Sequence, residues 1–192
     1  MADGIRIIGG EGCGRYIKSF KDDLSVRPLL GRIKKSLFDI LKLKIMDSVF
    51  LDLYAGTGAV GIEAISRGAG KVIFVDGDRK CTELVSRNLA DLGWQNRGRV
   101  EQFDITRGLK WLGEKIDIVY MGPPYKDLKR TPLTLTGVTL KTVVEADILK
   151  SNSLIISQRH IKEPVAVPEE LESIREEKYG DTLVVFYRKR KA

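Results

Sequence analysis

Between the apolar run Val49-Phe50-Leu51 and a helical stretch that begins near residue 59 lies Asp52-Leu53-Tyr54-Ala55-Gly56-Thr57-Gly58-Ala59-Val60-Gly61. Glycines at 56, 58 and 61 let the backbone turn sharply out of a strand and into a helix, and they remove Cβ atoms where something could approach the main chain. A strand, glycine loop and helix in succession belong to folds built from parallel strands joined by crossover helices. The spacing Gly56-x-Gly58-x-x-Gly61 matches the dinucleotide fingerprint. Alone it fits equally a tight turn with no ligand.

The rest of the chain repeats this alternation. Apolar runs fall at 49–51, 72–75, 100–103, 116–121 and 154–156, with helical stretches at about 59–68, 78–92, 138–150 and 168–172. In 78–92 the apolar residues Cys81, Leu84, Val85, Leu89 and Leu92 form one stripe, and Asp78 is placed to cap the helix. Near-continuous apolar strands imply a sheet covered on both faces. The end departs from this pattern. Tyr179-Gly180-Asp181-Thr182 reads as a tight turn, so a terminal hairpin adds an antiparallel strand. The start is different again. Ile5–Ile8 and Arg15–Ile17 flank a glycine-rich stretch and read as a hairpin. Leu30, Ile33, Leu37, Ile40 and Leu41 then have helical spacing, with Pro28 in the first turn. We expect one domain over 1–192, with 1–44 as a hairpin-plus-basic-helix extension.

With 192 residues the chain is long enough for one sizeable core. No apolar run approaches the ~20 residues of a membrane helix, and the first residues lack the pattern of a secretory signal. A cytoplasmic protein away from membranes is expected. The formal net charge is +7, and residues 1–44 carry ten Lys and Arg against five Asp and Glu. Arg188-Lys189-Arg190-Lys191 extends the surplus, which suits a polyanion such as nucleic acid. Cys13 and Cys81 lack metal-site spacing, and one histidine, His160, does not complete a zinc site with them. Two buried free thiols, no metal and a histidine at a strand end are expected.

The acids around the loop narrow its ligand. Asp76 ends the next strand, twenty residues after Gly56, where a carboxylate can accept both hydroxyls of a ribose. Asp104 follows the third strand, at the edge where an adenine would lie. Nicotinamide dinucleotide and S-adenosylmethionine both remain open to this point. Asp52, inside the pocket, favours the second. It suits a cationic methionine moiety and repels a pyrophosphate. The alternative role for Asp52 is to accept loop amides.

With Asp52-Leu-Tyr-Ala-Gly-Thr-Gly-Ala-Val-Gly, the chain resembles the class I S-adenosylmethionine-dependent methyltransferases. Ile7-Ile8-Gly9-Gly10, Gly14-Arg15, Val26-Arg27-Pro28, Arg32, Ser36–Leu41, Ser66-Arg67-Gly68-Ala69, Phe74-Val75-Asp76, Asn88-Leu89 and Tyr179-Gly180-Asp181-Thr182 resemble the RsmD family nearly end to end. Its members methylate guanine N2 in small-subunit ribosomal RNA of bacteria. The resemblance implies a Rossmann-like α/β fold whose seven-stranded sheet has order 3-2-1-4-5-7-6, strand 7 antiparallel. It implies cofactor binding by Asp52, Tyr54, Gly56, Gly58, Asp76 and Asp104. It implies contact with ribosomal RNA, free or in an assembling small subunit, through Arg15, Arg27, Arg32, Lys34 and Lys35. A monomer is expected. The family's catalytic motif is Asp/Asn-Pro-Pro-Tyr/Phe after the fourth strand, and here Gly122-Pro123-Pro124-Tyr125 stands in its place. Gly122 has no side chain where the family carries an acid or amide. Leu29 and Gly31 likewise replace polar residues of the family's Arg-Pro-Thr-x-Asp-Arg. Two alternatives follow. One is a cofactor- and RNA-binding homologue with weak or no transfer. The other is an adenine-N6 DNA methyltransferase, which shares the Pro-Pro-aromatic motif.

Overall fold

The computed structural model describes residues 4–20, 31–125 and 131–190. It opens with a small antiparallel hairpin, β1 (Gly4–Arg6) and β2 (Tyr16–Lys18), in which Ile5 pairs with Ile17. Its glycine-rich loop lies against the end of helix α2 (Ala59–Ser66): Glu11 N–H donates to the Ser66 carbonyl at 2.8 Å, and Gly12 N–H to Ser66 Oγ at 2.9 Å. Gly10 has φ +77°, and a Cβ there would fall 1.7 Å from the Ser66 oxygen. Only glycine permits this approach.

Helix α1 (Gly31–Leu41) buries Ile33, Leu37 and Leu41 of the expected stripe, with Phe38 beside them; Ile40 is half-buried, and Pro28 and Leu30 lie outside the described residues. Then come β3 (Val49–Leu53), α2, β4 (Lys71–Asp76), α3 (Arg79–Leu92), β5 (Gly98–Gln102), β6 (Ile116–Met121), α4 (Leu135–Glu145), β7 (Leu149–His160), β8 (Leu171–Tyr179) and β9 (Thr182–Lys189). The sheet order is β5-β4-β3-β6-β7-β9-β8. Counted over these seven strands alone it is the expected 3-2-1-4-5-7-6. Strands β3 to β7 pair in parallel, and β9 runs antiparallel to both β7 and β8.

Strand side chains alternate between faces, so each face has its own core. Phe50, Phe74, Ile118 and Ile156 meet α1, α2 and α3 on one side. Leu51, Ile73, Val119 and Ile155 meet Leu140 and Val143 of α4 on the other. Every residue of α2 is buried, which explains its lack of a polar stripe. Gly61 lies where a Cβ would fall 2.2 Å from Phe74 Cε1, so it sets how closely α2 lies on the sheet.

Several expectations need correction. Residues 168–172 do not form a helix; the chain turns at 169–170 and enters β8. The fourth long helix is Leu135–Glu145 and not 138–150. Asp147 adopts φ +51°, a left-handed conformation that aspartate tolerates, and this ends the helix so that Leu149 and Lys150 open β7. Cys81 is buried but Cys13 is exposed, because it lies in the hairpin loop. Arg188 and Arg190 are used within the terminal hairpin, bonding Glu172 and the Leu171 carbonyl. No helix among the described residues is long and apolar enough to cross a membrane.

Candidate active site

Five parallel strands deliver their carboxyl ends to one edge of the sheet. In sheets of this kind ligands bind outside that edge, where the strand order reverses. Here the reversal lies between β3 and its neighbours β4 and β6. Asp52 stands next to the end of β3, opposite Phe74 of β4 and Tyr120 of β6.

The loop after β3 contains three residues at positive φ: Tyr54 at 59°, Gly56 at 56° and Gly58 at 79°. Glycine adopts this freely. Tyrosine does so at a cost of about 1–3 kcal/mol unless the surroundings hold it. Tyr54 is held, since its hydroxyl shares a 2.8 Å hydrogen bond with Thr139 Oγ1 of α4. The loop is fixed from both sides by carboxylates. Gly56 N–H donates to Asp76 Oδ2 at 2.9 Å, and Gly61 N–H donates to Asp52 Oδ2 at 2.8 Å. Asp76 also accepts Asp78 N–H at 2.9 Å. Asp78 caps α3 through Lys80 N–H, as its position predicts. Asp104 is exposed and caps the short 3₁₀ turn Ile105–Arg107. The cofactor residues expected from sequence therefore share one edge. Several of them also build the loop: of the two open roles for Asp52, the geometry gives the amide acceptor, with the Gly61 N–H bonded to its carboxylate at the buried end of β3.

Electrostatics distinguish these acids. Asp52 is almost fully enclosed, and burial pushes its pKa up to about 8, against the pull of the Gly61 amide and with a further push from Asp76. Asp76 is raised chiefly by burial, offset by its amide bonds. A buried, readily neutralised acid beside a glycine loop fits a cation and disfavours a phosphate. These residues therefore fit the charge of a methionine moiety with its sulfonium.

After β6 come Gly122, Pro123, Pro124 and Tyr125. A Cβ on Gly122 would sit 3.1 Å from the Tyr120 hydroxyl, so tyrosine lines the space the side chain would enter. Tyr120 Oη donates to Gln158 Oε1 at 3.0 Å, and Gln158 Nε2 donates to Tyr125 Oη at 3.2 Å. Tyr125 Oη lies 3.3 Å from Thr182 Oγ1, and its ring meets His160 edge-on. The motif tyrosine is thus anchored by β7 and β9. Sequence reasoning missed Tyr120 and Gln158. Both read as strand residues, and a polar Gln158 following Leu154-Ile155-Ile156 was the available signal.

The basic residues separate. Arg32 and Lys35 are exposed on α1, and Arg27 lies outside the described residues. Arg15 is exposed, but its guanidinium donates to the Leu92 and Asp91 carbonyls at the end of α3 and lies over Trp94. Lys34 must be corrected. It is buried, 3.0 Å from Glu63 Oε2, and donates to the Arg6 carbonyl at 2.7 Å, so it is not on the exposed basic face. It falls on the apolar side of α1 and meets there the carboxylate of Glu63, which comes from a distant helix. Among the described residues no cluster of His, Cys, Asp and Glu could hold a metal. His160 closes β7, as expected of a strand end.

Comparison with known proteins agrees with this geometry. The solved structure of Escherichia coli yhhF has the same fold over 97% of this chain and 98% of its own, with TM-score 0.82 and 27% identity. The fold and its glycine loop define a class I S-adenosylmethionine-dependent methyltransferase. Residues 5–188 match the family described as Conserved hypothetical protein 95. Bacillus subtilis YlbH is 33% identical over 192 residues, 97% of this chain and all of that one. Escherichia coli ribosomal RNA small subunit methyltransferase D is 36% identical over 122 residues, 64% of this chain and 61% of that protein. The chain belongs to this family, the RsmD methyltransferases.

Proposed function

We propose that this protein methylates the exocyclic N2 of a guanine in small-subunit ribosomal RNA. It would work in the cytoplasm as a monomer, with residues 1–44 as its RNA-facing extension. The observation that carries the reading is the pairing, at one sheet edge, of a glycine loop tied to Asp52 with a Pro-Pro-Tyr loop anchored by β7. S-adenosylmethionine, when bound, supplies an electrophilic methyl on a sulfonium. Asp76 accepts the ribose, Asp104 borders the adenine, and Tyr54, Gly56 and Gly58 shape the cradle. Asp52 opposes the positive charge of the methionine portion. Tyr125 stacks on the extruded base, worth ~1–3 kcal/mol by analogy with single-strand binders. The rigid Pro123-Pro124 pair aims a main-chain carbonyl from Gly122 onward at the amine, which holds its lone pair on the methyl axis.

The test is tritium transfer from labelled S-adenosylmethionine to small subunits lacking the modification, followed by nucleoside analysis. N2-methylguanosine is the expected product. Duplex DNA is the parallel substrate, and label in N6-methyladenine there would point to the DNA enzyme. One observation favours a second reading. Gly122 offers no side-chain acceptor, so the protein could hold cofactor and RNA while transferring slowly or not at all. No incorporation, with S-adenosylhomocysteine still raising the melting temperature, would establish that reading and overturn the first.

The exposed pair on α1 gives a further expectation. Arg32→Ala with Lys35→Ala should weaken RNA binding about threefold to tenfold at moderate salt. It should also reduce the slope of log affinity against log salt by roughly 1.5, two phosphate contacts' worth. The melting temperature should not change, since both side chains are exposed. An unchanged salt slope would remove α1 from the RNA interface.

A further inference from the structure

We infer that the Tyr120 hydroxyl takes over the acceptor role vacated at Gly122, receiving a hydrogen of the substrate amine. The inference rests on the methyl-transfer reading above. It comes from geometry. The point where a Gly122 side chain would start lies 3.1 Å from Tyr120 Oη and 3.4 Å from Cε1. The hydroxyl therefore lines the space that an acid at 122 would occupy, and an acid and this hydroxyl compete for it. Tyr120 reaches that place because it lies on β6 directly opposite Asp52 of β3, on the same face of the sheet.

The orientation of the hydroxyl is fixed. It donates its hydrogen to Gln158 Oε1 at 3.0 Å, and Gln158 passes the chain on to Tyr125. A phenol whose proton is committed in this way presents lone pairs to other partners, and a phenolic oxygen accepts as well as donates. Burial, with Asp52 and Tyr125 nearby, holds the Tyr120 hydroxyl well above its ordinary pKa, so it stays neutral across the working range. It therefore cannot act as a base. As the N–CH₃ bond forms and the S–CH₃ bond breaks, the electron pair stays on sulfur. The nitrogen becomes positive and then gives its proton to water. Tyr120 contributes one hydrogen bond that strengthens as the amine hydrogens grow more acidic. The same network ties this acceptor to the ring that stacks the base, so Gln158 positions both.

The test compares wild type, Tyr120→Phe, Gly122→Asp and the double variant on undermethylated small subunits. It measures kcat, KM for RNA, S-adenosylhomocysteine affinity and melting temperature. Tyr120→Phe should lower kcat about threefold to tenfold, the worth of one neutral hydrogen bond, with KM and cofactor affinity within twofold of wild type. In the Tyr120→Phe background the space beside residue 122 is free of the hydroxyl, so adding Gly122→Asp should restore kcat to wild type or above. Gly122→Asp alone should gain less, because its Cβ must push the hydroxyl aside by a few tenths of an ångström. Should Tyr120→Phe prove unstable, Gln158→Met removes the partner of the hydroxyl and should lower kcat without moving cofactor affinity. If wild type transfers methyl and Tyr120→Phe matches it, the acceptor role is overturned while the function stands. A kcat loss that Gly122→Asp fails to restore would make Tyr120 a packing residue only and would overturn the role too. If wild type transfers nothing, the function itself fails.

Discussion

Replacing Glu63 with alanine should lower the free energy of unfolding by about 3–5 kcal/mol, the usual result of removing one partner from a buried ion pair. For a chain of this size that is a fall in melting temperature on the order of 10 °C. Glu63 is fully enclosed in α2, and three groups converge on its carboxylate. Lys34 Nζ lies at 3.0 Å, Arg67 Nε at 2.8 Å, and Ile8 N–H donates at 3.0 Å. Burial already depresses the Lys34 pKa, and the Glu63 charge is what opposes that shift. Without it, Lys34 keeps only the Arg6 carbonyl for its buried charge, and the half-buried Ile8 amide loses its acceptor. The double variant Lys34→Met, Glu63→Leu should therefore recover a substantial part of the loss. Chemical denaturation of the two variants measures this directly, and a single-variant cost below 1 kcal/mol would refute it. The consequence reaches the site. Glu63 joins the hairpin, α1 and the helix that begins at the glycine loop, so this carboxylate sets how the N-terminal extension is presented beside the cofactor loop.

That network also shows what sequence can and cannot reveal here. Periodicity placed α1, the alternating strands, the Gly180-Asp181 turn and the Asp78 cap, because each depends on residues close in the chain. The resemblance supplied the strand order. The glycine loop and the acids at strand ends were legible because parallel strands must end at a common edge. Pairings between distant segments were not. Lys34 looked like one more cation of a basic helix because Glu63, its partner, lies 29 positions away on another helix. Arg15 and the terminal arginines also bond carbonyls and carboxylates of other elements, and those partners cannot be read from neighbouring positions. The Gly122 side chain was missing in the sequence, but its neighbour was not identifiable. Tyr120, two residues earlier, turns its hydroxyl back toward that space only once β6 lies between β3 and β7.

Asp52→Asn should weaken S-adenosylhomocysteine binding about tenfold to a hundredfold, the worth of one charge-assisted contact. At pH 8 the same variant should raise the melting temperature of the ligand-free protein by several degrees. The two effects have one cause. In the free protein burial holds Asp52 near pKa 8, against an ordinary value of 3.8 in the unfolded chain. Between those values the folded state binds the extra proton, so this group's contribution to stability is intact at about pH 4 and is lost as pH rises through 8. The limiting slope for one proton is about 1.4 kcal/mol per pH unit. Asparagine can still accept the Gly61 amide and does not ionise, so the variant escapes that loss, and its advantage should vanish near pH 4. The α-ammonium of S-adenosylhomocysteine reverses the balance, because a positive charge beside Asp52 favours the carboxylate. Binding at pH 7 should then release close to one proton, and affinity should increase as pH rises toward 8. Calorimetry at pH 7 in buffers of different ionisation enthalpy counts that proton. The slope should approach one for wild type and fall near zero for Asp52→Asn, whereas equal slopes would show that Asp52 serves the loop amide and does not meet the ligand's charge.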